Sequence, residues 1–249
     1  MKPIVIANWK MNLTGHEALA FLEVFLKKQE VLKLAEVVIC PAAPVLEVVA
    51  KRLKNTSIYW GAQNAHWEEH GAFTGEISME MLADLECRLV LCGHSERRKW
   101  FKETDFEIAR KVEQALAHGL TPVLCVGETF DERQKQKQEV VVMEQVRKGT
   151  ELLKAFPSLS LIIAYEPRWA IGTGQAIEPE QAWGMARVIR STLREVLPTG
   201  AESIPIIYGG SVNELNVANF VDNEIISGVL VGGASLDPEK FHQLIAQLI

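Results

Sequence analysis

Hydrophobic residues in this chain gather into eight short continuous runs, at residues 3–7, 37–40, 57–60, 89–92, 122–126, 161–163, 204–208 and 228–231. The runs are rich in Val, Ile and Leu and do not alternate with polar residues, which is the pattern of strands covered on both faces in a parallel sheet. Between them the period changes. Ala18, Leu22, Phe25 and Leu26 recur at helical spacing, giving one apolar helix face. Four capping boxes mark expected helix starts: Thr14 with Glu17, Thr104 with Glu107, Thr129 with Glu132, and Ser211 with Glu214. Pro44, Pro179 and Pro238 suit first helical turns, where a missing N–H is no loss. These signals predict helices over 44–53, 179–197 and 238–248, and a long charged, glutamine-rich helix from 130 to beyond 139. One segment, 64–75, has little periodicity. A stretch that long inside a compact domain is usually functional or held by a partner.

Strands alternating with helices imply a parallel sheet. Eight such units in 249 residues fit one closed α/β domain, a (β/α)8 barrel spanning 1–249. A doubly wound open sheet is the alternative, but no GxGxxG follows the first strand. In a barrel every strand ends at the same mouth. Asn8, Lys10, His94, Glu166, the pair Gly209-Gly210 and the pair Gly232-Gly233 therefore converge, although they are far apart in sequence.

Composition narrows the chemistry. A net charge of −6 argues against nucleic acid or a membrane surface as partner, since both select basic faces. An anionic small molecule remains open if attraction is local. Cys40, Cys87, Cys92 and Cys125 show no CxxC spacing and are expected to be reduced, buried thiols of a cytoplasmic protein. Neither a signal peptide nor a membrane span is expected.

The stretch Ala164 to Gly174 carries the sharpest signal. Glu166 stands where the sixth strand ends, and Pro167 behind it forbids helix there. An apolar tip, Trp169-Ala170-Ile171, leads to Gly172-Thr173-Gly174. A stiff entry, an apolar tip and a glycine exit describe a hinged lid with a base at its root; alternatively, this is a plain surface loop. The glycine pairs after strands seven and eight suit a phosphate bound by backbone N–H groups, or are simply tight turns. Lys10 either pairs with Glu96 or supplies positive charge to an anion. His94, before an expected helix start, is either structural or a neutral hydrogen-bond donor. His66-Trp67-Glu68-Glu69-His70 matches a zinc pattern in letters only. That pattern works on a helix, and here it runs into Gly71 without amphipathic spacing, so no metal is expected.

The chain resembles the triosephosphate isomerase family over its full length. The resemblance is carried by Ala7-Asn8-Trp9-Lys10, Gly71 to Glu76, Gly93-His94-Ser95-Glu96-Arg97-Arg98, Tyr165-Glu166-Pro167, Trp169 to Gly174, Tyr208-Gly209-Gly210-Ser211 and Gly232-Gly233-Ala234-Ser235. It implies a TIM barrel that interconverts dihydroxyacetone phosphate and D-glyceraldehyde 3-phosphate in glycolysis and gluconeogenesis, without a cofactor. It further implies Glu166 as base, His94 as electrophile, and Lys10 and Asn8 on the enediolate. Gly172, Ser211, Gly232 and Gly233 would hold phosphate. Pro167, Trp169, Ile171 and Leu230 would form the lid and clamp, and Thr74 would reach into the second subunit of a homodimer. Three positions depart from the family pattern: Arg168 at the hinge in place of an aliphatic residue, Gln175, and Glu178 where Ser or Thr usually caps a helix. On the same fold, a Schiff-base aldolase using Lys10 and a non-catalytic phosphate-binding barrel are the rivals.

Overall fold

The computed structural model describes residues 2–153, 156, 160–170, 177–222 and 224–248. Strands β1 (Ile4–Asn8), β2 (Glu36–Cys40), β3 (Tyr59–Ala62), β4 (Leu89–Cys92), β5 (Thr121–Val126), β6 (Ile162–Tyr165), β7 (Ile206–Tyr208) and β8 (Gly228–Val231) close into one parallel barrel in sequence order. β1 is the closing strand: Asn8 pairs with Cys40 on β2, and Ala7 with Val231 on β8.

The continuous apolar runs are explained by two separate cores. Ile6, Val38, Leu91, Val123, Ile207 and Leu230 fill the barrel interior. The alternate residues, among them Val5, Val37, Val90, Ile163 and Val229, pack outward against the helices. Apart from the entry of β3, where Tyr59 is exposed, and Glu36 at the start of β2, both faces of the strands are thus shielded from water, so neither face needs polar residues.

The surrounding helices are α1 (Gly15–Phe25), α2 (Gln29–Leu32), α3 (Ala43–Leu53), α4 (Met79–Asp84), α5 (Ser95–Trp100), α6 (Asp105–Ala117), α7 (Phe130–Gln134), α8 (Gln138–Gly149), α9 (Pro179–Val196) and α10 (Pro238–Ala246). Thr14, Thr104 and Thr129 form the expected capping boxes of α1, α6 and α7. Glu178 stands at the N-cap of α9 but makes no side-chain cap bond. Pro179, which has no N–H to satisfy, opens that helix instead.

Three expectations are corrected. The helix from 130 is two helices, because Gln136 takes a left-handed φ of 55°. The segment after Asn64 is more ordered than its pattern suggests: His66 bridges to Ser78, and Ser78 then caps α4. No helix starts at Ser211, where a bend leads only to a 3-10 turn at Val217–Asn219. The Ser211 hydroxyl donates to the Ala170 carbonyl at 2.5 Å instead of capping. The turn after β8, Gly233–Ser235, is likewise 3-10. These two turns therefore present open backbone and not the N-termini of long helices.

Candidate active site

Asn8, Lys10, His94 and Glu166 sit at or just past strand ends, so the barrel's hydrogen-bonded strands fix where each is presented. Asn8 ends β1, and its Oδ1 accepts the Lys10 N–H at 3.0 Å. The Lys10 ammonium lies 2.6 Å from Glu96, so both readings of this lysine meet in one geometry: it is paired, yet it stays at the mouth. A Cβ on Gly232 would stand 3.2 Å from Lys10 Cε, so the bare glycine gives the lysine stem its room.

His94 is the N-cap of α5, and its Nδ1 accepts the Glu96 N–H at 3.2 Å. Only an unprotonated nitrogen accepts a hydrogen bond, which assigns the ring proton to Nε2. That Nε2 is 3.3 Å from Glu166 Oε1.

Glu166 follows β6, held by its own N–H to the Val126 carbonyl at 2.7 Å. Its side chain is almost fully buried at 1% exposure. Oε2 accepts the Ser95 N–H at 2.8 Å, and Oε1 has no hydrogen-bond partner among the described residues. A buried carboxylate with one satisfied oxygen and one unsatisfied oxygen is poised to accept a proton. Gly209 makes this placement possible, since a Cβ there would lie 2.9 Å from Glu166 Cγ. Beside it, burial first and the charge of Glu166 second push the Cys125 thiol well above its ordinary pKa. Cys125 is therefore a neutral wall and not a nucleophile.

The segment just after β6, where a lid is expected to begin, is anchored by Glu128, a residue the sequence patterns did not single out. Glu128, fully buried, accepts from Trp169 Nε1 at 2.9 Å and from the Tyr165 hydroxyl at 3.1 Å, and pairs with Arg133 at 3.1 Å. The Arg133 guanidinium also stacks over the Trp169 ring at 5.0 Å. The signal was available: Glu128 is a carboxylate just past a strand, as Glu166 is. Pro167 is buried behind Glu166. Ile171 and Gly172, with Thr173, Gly174 and Gln175, lie outside the described residues.

Ser211, Gly232, Gly233 and Leu230 line a cavity of about 240 Å³ together with Asn8, Lys10 and His94. Among the described residues, no atom beyond the chain neighbours stands within 4 Å of where a Gly233 Cβ would be. Among the described residues, Thr74 is the expected site residue placed elsewhere, exposed on the turn Gly71 to Glu76. His66 is a bridge residue and Trp67 to His70 form bends, so the stretch is not a helix. The His66 ring stacks on Trp67 at 4.1 Å, and its Nδ1 accepts the Glu68 N–H. Among the described residues no group of three or more His, Cys, Asp or Glu is placed to hold a metal ion.

Residues 3–248 match the family model described as Triosephosphate isomerase. Relatives bearing that name include proteins of Dictyoglomus thermophilum, 45% identical over 98% of both chains, and Endomicrobium trichonymphae, 43% identical over 98% of both. A third, from Aquifex aeolicus, is 42% identical over 98% of this chain and 99% of its own. With the barrel, the strand-end carboxylate and the histidine all in place, the chain belongs to the triosephosphate isomerase family, enzymes that interconvert dihydroxyacetone phosphate and D-glyceraldehyde 3-phosphate.

Proposed function

We propose that Glu166, His94 and Lys10 perform the family's proton transfer in this chain. The observation that carries the assignment is the buried Glu166 carboxylate, 3.3 Å from the Nε2 of a histidine whose other nitrogen is already occupied. Substrate phosphate lies among Ser211, Gly232 and Gly233, with Gly172 of the lid as a further donor. Lys10 offsets its charge locally within an acidic protein. The carbonyl oxygen takes the His94 Nε2–H, and Asn8 and Lys10 hold the oxygen at which charge develops.

In the structure Glu166 rests on the Ser95 N–H. Substrate displaces it from that donor and from His94, setting the carboxylate against a C–H beside the polarised carbonyl. The C–H proton leaves to Glu166 and an enediolate forms; through His94 the hydroxyl proton passes from one enediolate oxygen to the other, and Glu166 returns its proton to the neighbouring carbon. Closure of the apolar residues Ile171 and Leu230 dries the carboxylate and strengthens it as a base. A carboxylate and a hydrogen-bond donor suffice for this shift, so no cofactor is required.

The aldolase reading is weaker. A Schiff-base lysine attacks as a free neutral amine, whereas Lys10 is engaged by Glu96 at 2.6 Å. Borohydride added with substrate traps an adduct only if Lys10 is the nucleophile.

A homodimer is part of the proposal. Phe73 is 43% exposed on the projecting turn beside Thr74, while Met11 and Phe101, 95% and 69% exposed, line a cavity of about 620 Å³ next to Asn8 and Lys10. The Phe73-Thr74 tip of a second copy fills such a cavity and covers apolar surface on both sides. Among the described residues no helix is long and apolar enough to cross a membrane. The family's place in glycolysis supports a cytoplasmic enzyme. The test is a coupled isomerase assay on purified protein with dihydroxyacetone phosphate. Ligand binding without turnover favours the non-catalytic barrel.

A further inference from the structure

Lys10 has a left-handed backbone, φ 54°. An L-residue with a side chain adopts that conformation at a cost and keeps it only where its surroundings over-determine it. On the amide side the determinant is Asn8, whose Oδ1 accepts the Lys10 N–H. On the carbonyl side it is Gln63, the residue just past β3. Its Nε2 donates to the Lys10 carbonyl at 2.8 Å and to the Cys40 carbonyl at 2.9 Å. The amide orientation is unambiguous, because an oxygen turned toward two carbonyls would find no proton.

The Cys40 carbonyl also accepts the Trp9 N–H at 3.1 Å and so closes the hydrogen bonding between β1 and β2. Both hydrogens of one side-chain amide are thus spent tying the residue that carries the ammonium to the rigid rim of the barrel. The next residue, Asn64, is fixed in turn by buried Lys111 at 2.8 Å, so the anchor itself sits on firm backbone.

We infer that Gln63 is a positioning residue for the Lys10 ammonium, holding its left-handed backbone from the carbonyl side as Asn8 holds it from the amide side. The inference rests on the reading that Lys10 acts on substrate. Side-chain volume alone does not supply the function; two donors on one nitrogen do, and neither Glu nor Met has them.

The test is a double-mutant cycle of Gln63→Met and Lys10→Met, read by kcat/KM and by the affinity for 2-phosphoglycolate. Gln63→Met is expected to lower kcat/KM by about 10- to 100-fold, the scale of a displaced catalytic group, and to weaken 2-phosphoglycolate. Added to Lys10→Met, it is expected to change that affinity by less than about 2-fold, since the group it positions is gone. Should Gln63→Met fail to fold, Gln63→Glu, which keeps the shape without the donors, completes the same cycle. Equal weakening by the Gln63 change in both backgrounds would mean a structural role and overturn the inference, as would unchanged kcat/KM. If Lys10→Met itself leaves turnover and affinity intact, the reading of Lys10 falls. Sensitivity to Lys10→Met with none to Gln63→Met removes only Gln63.

Discussion

The carboxylate of Glu128 accepts the indole N–H of Trp169 at 2.9 Å, across 41 residues of sequence, and so ties the segment after β6 to the loop after β5. Because Tyr165 and Arg133 share the same carboxylate, its loss leaves several buried donors unanswered. Glu128→Gln keeps the shape but sets an NH2 group among donors. It is expected to destabilise the protein by about 3 kcal/mol, in the range for breaking a buried ion pair, and to shift Trp169 fluorescence. Unchanged urea unfolding would show that the hub is dispensable.

Arg168 sits within this hub's reach, half-buried, with its N–H on the Glu128 carbonyl at 3.0 Å. Its guanidinium makes no hydrogen bond or ion pair to a described residue, and burial, then the like charge of Arg98, lowers its pKa. Arg168→Val removes a cation that is partly desolvated without a paired anion. We expect a gain of about 1 kcal/mol in stability and altered lid rates. The ratio of glyceraldehyde 3-phosphate to methylglyoxal formed from dihydroxyacetone phosphate is expected not to change. A loss of stability would mean that the cation is paired after all.

The exposed turn 71–76 is expected to make the dimer. Phe73→Asp places a charge where apolar contact is proposed, and sedimentation is expected to show a monomer. Turnover should fall by at least about 10-fold, because Asn8 and Lys10 lose the neighbour's support. A fully active monomer would contradict this.

His242, on α10, accounts for an acid sensitivity. Its Nε2 bonds the Phe25 carbonyl at 2.7 Å and its ring stacks on Phe25 at 4.6 Å, joining α10 to α1. Burial lowers its pKa below the ordinary 6.5, so the unfolded chain takes up the proton more readily. This contribution is complete above about pH 6.5 and is lost as the pH falls toward the folded value. The stability difference between the wild type and His242→Gln, measured in urea, should shrink between about pH 7.5 and about pH 5.5. A difference independent of pH would sink this account.

What could be read from the sequence follows from physical range. The strands were legible because burial on both faces forces continuous apolar runs. The boxes at Thr14, Thr104 and Thr129 were legible because their bonds span three residues. The box at Ser211 failed because its hydroxyl was already committed to Ala170, 41 residues away. Helix α4, only 6 residues long and lying beyond the aperiodic stretch 64–75, was not read; its N-cap Ser78 is placed by the bridge to His66. Glu166, His94 and Lys10 were legible as strand-end residues. Glu128 shared that strand-end signal, but its partners Tyr165 and Trp169 lie 37 and 41 residues away and leave no local pattern. Gln63 was not legible, because it acts through side-chain bonds to partners in other loops, 53 residues away in the case of Lys10.

The central claim is that Glu166 moves the proton. Glu166→Gln keeps the side chain's size and, through its amide oxygen, the bond to Ser95, but it removes the basic oxygen. The deciding measurement is kcat for dihydroxyacetone phosphate alongside 2-phosphoglycolate binding in that variant. A kcat lowered by at least about 100-fold, with the ligand still bound, is the predicted result. Near-normal kcat would place the base elsewhere and contradict the account.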